Sequence, residues 1–225
     1  MKAAVPIFPA GVVSIFENPN KFSEKFNLDN FKVEKYAGTN KYRSEKFKNI
    51  IKDESLSELY DWINDCIKQY LDQVIYLKYE NFFISESWLN VNEKGGDQPI
   101  HNHPNAIISG VYYMKMGENH PPLNFHRTRP SDKHPFISLS EHYKSIPQYR
   151  GPHPNVSNSV GFPCEQDTML VFQSQLYHFH NPVQTDEQRI SLSWNALVNF
   201  EIPEKPDTEN FYNSYNYRIR FEPVD

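Results

Sequence analysis

Arg189-Ile190-Ser191-Leu192-Ser193-Trp194-Asn195, which begins eleven positions after His178, is the stretch that decides how the chain reads. From 189 to 194 the odd positions are polar (Arg189, Ser191, Ser193) and the even ones apolar (Ile190, Leu192, Trp194). That period of two marks a strand with one face set against an apolar layer. If the even residues pack beneath an outer helix, Arg189 and Ser191 point into a sandwich, toward the strand that carries His178. A guanidinium is costly to bury without an anion. Its planar fork matches a carboxylate, and the Ser191 hydroxyl adds a further hydrogen bond. The blander readings are an edge-strand arginine in solvent, or one paired with Asp186 or Glu187.

Upstream lies His101-Asn102-His103. Side chains of an extended segment alternate faces, so His101 and His103 project to one side and Asn102 to the other. Two such imidazoles can chelate zinc, iron, copper or nickel, and a third ligand from a neighbouring strand completes one face of an octahedron. His178 is the candidate for that ligand. Alone, the histidine pair is a weak signal, because two surface histidines beside a Pro-Asn turn look the same. His180 would share a face with His178 in a regular strand and is its rival. His120, His126, His134, His142 and His153 lie among prolines and charges and read as solvated loop residues, and Arg127 with Arg129 as an exposed pair.

Around these segments the pattern divides in two. Leu56, Leu59, Ile63, Ile67, Tyr70, Leu71 and Val74 recur at helical spacing behind Ser55-Leu56-Ser57-Glu58, which reads as a capping box. Residues 18–48, rich in Lys, Asn and Glu, suit short surface helices and suggest little function. After Tyr79 the period becomes two. Strands are expected over 81–91, 107–114, 168–172 and 189–195, with a turn at Glu93-Lys94-Gly95-Gly96-Asp97. Helices first and short strands afterwards describe an α+β chain, mainly β, whose β part is a sandwich or barrel. We divide it into a helical N-terminal part over about 15–78, a β core over about 80–200 and an irregular insert over about 117–163, all within one domain spanning 1–225. Phe125, Phe136, Tyr143 and Tyr149 give that insert a stiff, partly apolar surface. It is expected to lie over the mouth of the β core as a lid, or else to form a homodimer contact.

Bulk properties exclude several classes. A formal charge of −5 leaves no basic excess for phosphate neutralisation, so no nucleic-acid partner is expected. No run approaches the roughly 18 apolar residues a membrane helix needs. Two prolines and the lack of a small-residue cleavage pattern set Met1–Pro9 apart from a signal peptide. With only Cys66 and Cys164, a disulfide framework is not expected. The expectation is a cytoplasmic enzyme acting on a small-molecule or peptide substrate.

His101-Asn102-His103-Pro104, Ser109-Gly110-Val111-Tyr112-Tyr113, Leu170-Val171-Phe172-Gln173-Ser174 with His178, and Arg189-Ile190-Ser191 together resemble a family of 2-oxoglutarate- and Fe(II)-dependent oxygenases common in marine bacteria and their phages, related to the prolyl hydroxylases. The resemblance covers about Trp88 to Asn195. It implies a double-stranded β-helix (jelly-roll, cupin-like) with N-terminal helices packed outside, and His101 and His178 as iron ligands. It also implies Arg189 and Ser191 on the distal carboxylate of 2-oxoglutarate, with Tyr113 on the same carboxylate. The activity implied is O2-dependent hydroxylation with release of succinate and CO2. The sequence departs from the pattern at His103, where an Asp or Glu is usual. Either His103 ligates, giving three neutral histidines, or the third ligand comes from elsewhere; Asp97 precedes the pair and the next acid is Glu118. We take His103. Two alternatives stand beside this reading: a cupin-type three-histidine metalloenzyme without 2-oxoglutarate, and a non-catalytic jelly-roll binding module.

Overall fold

A computed structural model describes residues 1–8, 11–45, 49–76, 78–126, 159–201 and 220–223. Among them, strands β1 (Ala3–Phe8), β2 (Gly11–Glu17), β3 (Val33–Lys35), β4 (Lys41–Ser44), β5 (Tyr79–Asn92), β7 (Ile108–Lys115), β10 (Thr168–Gln173) and β12 (Arg189–Phe200) form one eight-stranded sheet in the order β1-β2-β10-β7-β12-β5-β4-β3. Strands β6 (Gln98–His101), β8 (Leu123–His126), β9 (Ser159–Phe162) and β11 (Tyr177–His180) form a second sheet, ordered β6-β11-β8-β9. Every recorded pairing is antiparallel. This is a mainly β, α+β architecture of the double-stranded β-helix kind.

Alternation along the central strands explains the layering. On β7, Ile108, Tyr112 and Met114 enter a core shared with Leu59, Ile63, Cys66, Ile67 and Tyr70 of α1 (Ser57–Tyr70), the one α-helix among the described residues. Val111 and Tyr113 enter a second core with Leu123, Phe125 and Phe162 of the small sheet. Strand β10 divides the same way, Met169 and Val171 to the helix side and Leu170 and Phe172 to the other. Both faces of the large sheet are covered, so its central strands read as nearly unbroken apolar runs. The even residues of β12, Ile190, Leu192 and Trp194, lie on the helix side as the sequence predicts.

Three expectations are corrected. The segment 15–78 is only partly helical, because β2, β3 and β4 extend the large sheet and short 3-10 turns join them to α1. The hydrogen-bonding capacity of the Lys- and Asn-rich stretch went into strand pairing, with Arg43 opposite Asn90 on β5. The capping box at Ser55 is absent: Asp53 accepts from the Ser55 N–H at 3.0 Å and starts a 3-10 turn that leads into α1. The insert is not irregular at its ends, where β8 and β9 pair with each other and β8 pairs with β11. Phe125, expected on the insert's surface, is fully buried against Phe172, with ring centres 4.8 Å apart. Residues 127–158, including Arg127, Arg129, Phe136, Tyr143 and Tyr149, lie outside the described residues, and so does the expected lid.

Gly110 on β7 sits directly beneath Trp194. A Cβ there would meet Trp194 Cζ2 at 2.2 Å, and the indole is fully buried. Gly110→Ala should therefore destabilise the protein by about 1–3 kcal/mol, the usual cost of overpacking a filled core. The urea midpoint, with the m-value unchanged, measures this; an unshifted midpoint would mean that the indole can move aside.

Candidate metal centre

Strand β11 places His178 directly opposite His101 on β6, so their side chains leave the small sheet on the same face. His103 follows two residues after His101, and its backbone N–H donates to the Ser174 carbonyl at 2.9 Å, which ties this turn to the large sheet. One ring nitrogen from each of His101, His103 and His178 lies within 4.8 Å of the others, and the Nε2 atoms of His103 and His178 are 3.3 Å apart. Adjacent ligands about 2.1 Å from a shared ion stand about 3 Å apart, so the spacing suits a metal. The structure thus brings together the three histidines singled out in the sequence.

The rings are held from behind. His101 Nδ1 lies 2.9 Å from the Pro99 carbonyl and His178 Nδ1 2.8 Å from the Leu176 carbonyl; a proton on each Nδ1 would leave Nε2 as the free donor pair. His178 also packs edge-on against Phe172 at 4.9 Å between ring centres. Asn195 stands behind His103. Its Nδ2 donates to Glu86 Oε1 at 2.6 Å and lies 3.1 Å from His103 Nδ1, while its Oδ1 accepts from Ser109 Oγ at 2.6 Å. Burial lowers the pKa of His101. It lowers that of His178 much further, assisted by repulsion from His101 and His103. Neutral imidazoles are the form that binds metal.

A narrow slot of about 60 Å³ runs inward from the triad between the two sheets, lined by Asn92, His180, Arg189 and Ser191 as well as His101, His103 and His178. A single water needs about 10–15 Å³ of such space, so the slot accommodates a thin chain of several atoms. Arg189 is 2% exposed at its inner end. Its guanidinium lies 5.3 Å from the centre of the Tyr113 ring and 3.9 Å from Cys164 Sγ, and its Nε has no hydrogen-bond partner among the described residues. No carboxylate of the described residues forms an ion pair with it; Asp186 instead pairs with Lys94. Ser191 shares its face. Tyr113 is fully buried behind the guanidinium, its hydroxyl also unpartnered among the described residues, and it backs Arg189 rather than lining the slot. His180 lines the slot without joining the triad. Burial and the nearby Arg189 push its pKa down to about 3.

Sequence reasoning missed the contribution of β4 and β5. Register sets Lys41 opposite Asn92 and Asn92 opposite Arg189, and next to that row Arg43 opposite Asn90 and Asn90 opposite Ser191. Each row therefore carries its polar side chains on the face that bears the slot. Asn92 is 1% exposed, and both of its amide atoms lack a partner among the described residues. The signal was present in Glu86-Ser87-Trp88-Leu89-Asn90-Val91-Asn92, whose even positions form a polar and aromatic face.

Comparison with known proteins fits this geometry. Residues 86–195, just under half of the chain, match the family described as "Putative 2OG-Fe(II) oxygenase". The fold is that of HygX from Streptomyces hygroscopicus, solved with nickel, 2-oxoglutarate and hygromycin B (TM-score 0.55, 10% identity, 83% of this chain and 82% of that one). It is also that of a 2OG-Fe(II) oxygenase-family oxidoreductase from Burkholderia pseudomallei (0.53, 11%, 82% and 84%) and a Pseudomonas putida prolyl-4-hydroxylase (0.51, 13%, 82% and 92%). No curated protein matches the sequence. The fold is thus the one seen in 2OG-Fe(II) oxygenases, and the segment that carries the three histidines and Arg189 is the part that resembles the family. None of its described helices is long and apolar enough to cross a membrane.

Replacing His101, His103 or His178 singly by Ala should abolish stoichiometric Fe(II) binding in anaerobic equilibrium dialysis, while His180→Ala should retain it. Loss in His180→Ala with retention in His103→Ala would reassign the third ligand.

Proposed function

We propose that the chain is a non-haem iron oxygenase that holds its metal with His101, His103 and His178 and takes 2-oxoglutarate into the slot that ends at Arg189. Bound iron would supply the activation of O2. The residues of the chain do the rest. The three histidines offer neutral nitrogens on one side of the ion and leave the opposite side open to co-substrate and O2. Arg189 and Ser191 hold the distal carboxylate of the dicarboxylate, and the tight walls of the slot exclude water from it. The substrate would enter from the wider side of the triad and be hydroxylated, with succinate and CO2 as co-products.

The observation that carries 2-oxoglutarate is the buried Arg189, which no described carboxylate neutralises. The ligand set on its own sides with the alternative. A centre of three histidines and no carboxylate fits a cupin-type metalloenzyme without 2-oxoglutarate better than it fits the two-histidine, one-carboxylate arrangement usual for 2-oxoglutarate oxygenases. The two readings differ in what Arg189 is for.

Calorimetry on the metal-loaded protein separates them. Truncating one partner of a buried charge pair costs about 2–5 kcal/mol, so Arg189→Ala should weaken 2-oxoglutarate by about 30-fold to several thousandfold and leave Fe(II) affinity nearly unchanged. Ser191→Ala, a gentler change, should weaken it by about two- to tenfold. If 2-oxoglutarate fails to bind the wild-type protein, or binds Arg189→Ala equally well, the cupin-type reading takes its place.

A further inference from the structure

Two adjoining spaces of different size meet at His101 and His103. Beside the narrow slot is a wide recess of about 550 Å³ that shares His101, His103, Trp88, Asn90, Gln98 and Lys41 with it and is lined further by Arg43 and Tyr36. Among the described residues its lysine and arginine side chains are Lys41 and Arg43, two apart on β4 and therefore on one face. Neither forms an ion pair with a described residue. Lys41 Nζ donates to Gln98 Oε1, a neutral amide. Arg43 spends its flat face on Trp88, with its Cζ 4.3 Å from the ring centre, donates from Nη1 to the Tyr36 hydroxyl at 3.3 Å, and has a buried Nε without a partner among the described residues. Two carboxylates also line the recess. Glu86 is occupied by the amides of Asn195 and Asn105, and Asp97 is exposed and outside ion-pair distance of both cations.

Trp88 connects this pair to the centre. The indole carries the Arg43 guanidinium at 4.3 Å and also stacks on His103, with ring centres 5.7 Å apart. Arg43 is therefore held at no more than the sum of two stacking distances from the proposed third ligand, with Lys41 beside His101. Two partly buried cations that form no ion pair with a described residue, fixed at that separation from the metal ligands, cost stability unless an anion joins them. Burial and the positive charge of Arg43, with a smaller push from Arg189, lower the Lys41 amine to about 8 against the partial opposition of Asp97.

We propose that the primary substrate carries an anionic group, phosphate or carboxylate, that is bound between Lys41 and Arg43 in the outer recess, and that this anchor sets which carbon faces the metal. The inference rests on the triad being the reactive centre. It assigns the recess to the substrate and the slot to the co-substrate. Arg43, whose Nε has no hydrogen-bond partner among the described residues, supplies a planar guanidinium, while Lys41 supplies a mobile point charge. The amide-rich remainder of the wall (Asn90, Asn102, Asn105) suits the polar body of such a molecule.

The test is competitive labelling of Lys41 in the intact protein, anaerobic and loaded with Fe(II) and 2-oxoglutarate. Acetic anhydride acylates an amine only where it is reachable and free of a bound anion, so the rate of Lys41 acylation, read by peptide mass spectrometry at a fixed pH, reports whether the recess is occupied. Methyl phosphate and acetate are the probes, with chloride at matched ionic strength as the control. The expected result is at least about fivefold slower Lys41 acylation with one of the two probes, lost in Arg43→Met; which probe protects names the head group. Equal rates with both probes and chloride overturn the proposal, and so does complete protection by 2-oxoglutarate alone, which would move Lys41 into the co-substrate slot. Binding of 2-oxoglutarate, measured in the same samples, is the separate check on the function. Its failure would remove that reading whatever Lys41 does.

Discussion

The pairing of β5 with β12 is the constraint on which the rest depends. It runs over most of both strands, from Asn92 opposite Arg189 to Tyr79 opposite Phe200, and its register decides which side chains share a face. One face receives Leu89, Val91, Ile190 and Leu192 and is sealed by α1. The other receives Trp88, Asn90, Asn92, Arg189, Ser191 and Ser193 and becomes the wall of the slot. A slip of one residue would bury the arginine under the helix and turn the leucine to the metal side. Apolar burial on the helix side thus fixes the polar geometry on the other, and the contacts that stabilise the fold also set Arg189 at the slot. A bulge at Ser85 of β5, opposite the step from Asn195 to Ala196, switches the helix-side residues of β5 from odd (Leu89, Val91) to even (Ile84), while β12 keeps its alternation past Asn195, the residue that reaches His103.

Much of this was legible because period-two patterning is a local signal. The central strands, the core of α1, the facing histidines at 101 and 103 and the inward arginine at 189 can each be read from a window of ten residues or fewer. What the windows could not give was pairing across the chain. Lys41 and Arg43 look like two charges in a polar segment, and only their register against Asn92 and Asn90 brings them to the site. The strands at both ends of the insert were equally hidden. Leu123-Asn124-Phe125-His126 alternates for only four residues among prolines, too short a run to outweigh the turn signals around it, and it is a strand because β11 lies beside it. The 3-10 entry to α1 was missed for a related reason: Asp53 and Ser55 are both good caps, and spacing alone does not say which is used.

Electrostatics joins the departure at His103 to the cations of β4. Replacing a carboxylate ligand by imidazole removes one negative charge from a site where few charges are solvated. A divalent ion held by three neutral histidines keeps its full charge, and a bound dicarboxylate would cancel it. That leaves the cations of Arg189, Lys41 and Arg43 against the carboxylates of Glu86 and Asp97, and Asp97 is exposed to screening by solvent. The loaded centre is then positive overall, where a centre with the usual carboxylate would be close to neutral. A buried surplus of positive charge is costly until an anion enters. On this view the third histidine and the unpaired pair on β4 belong together. The ligand change makes room for one more negative charge, Lys41 and Arg43 say where it sits, and the indole of Trp88, stacked on Arg43 and on His103, couples that position to the ligand whose chemistry differs from the usual pattern.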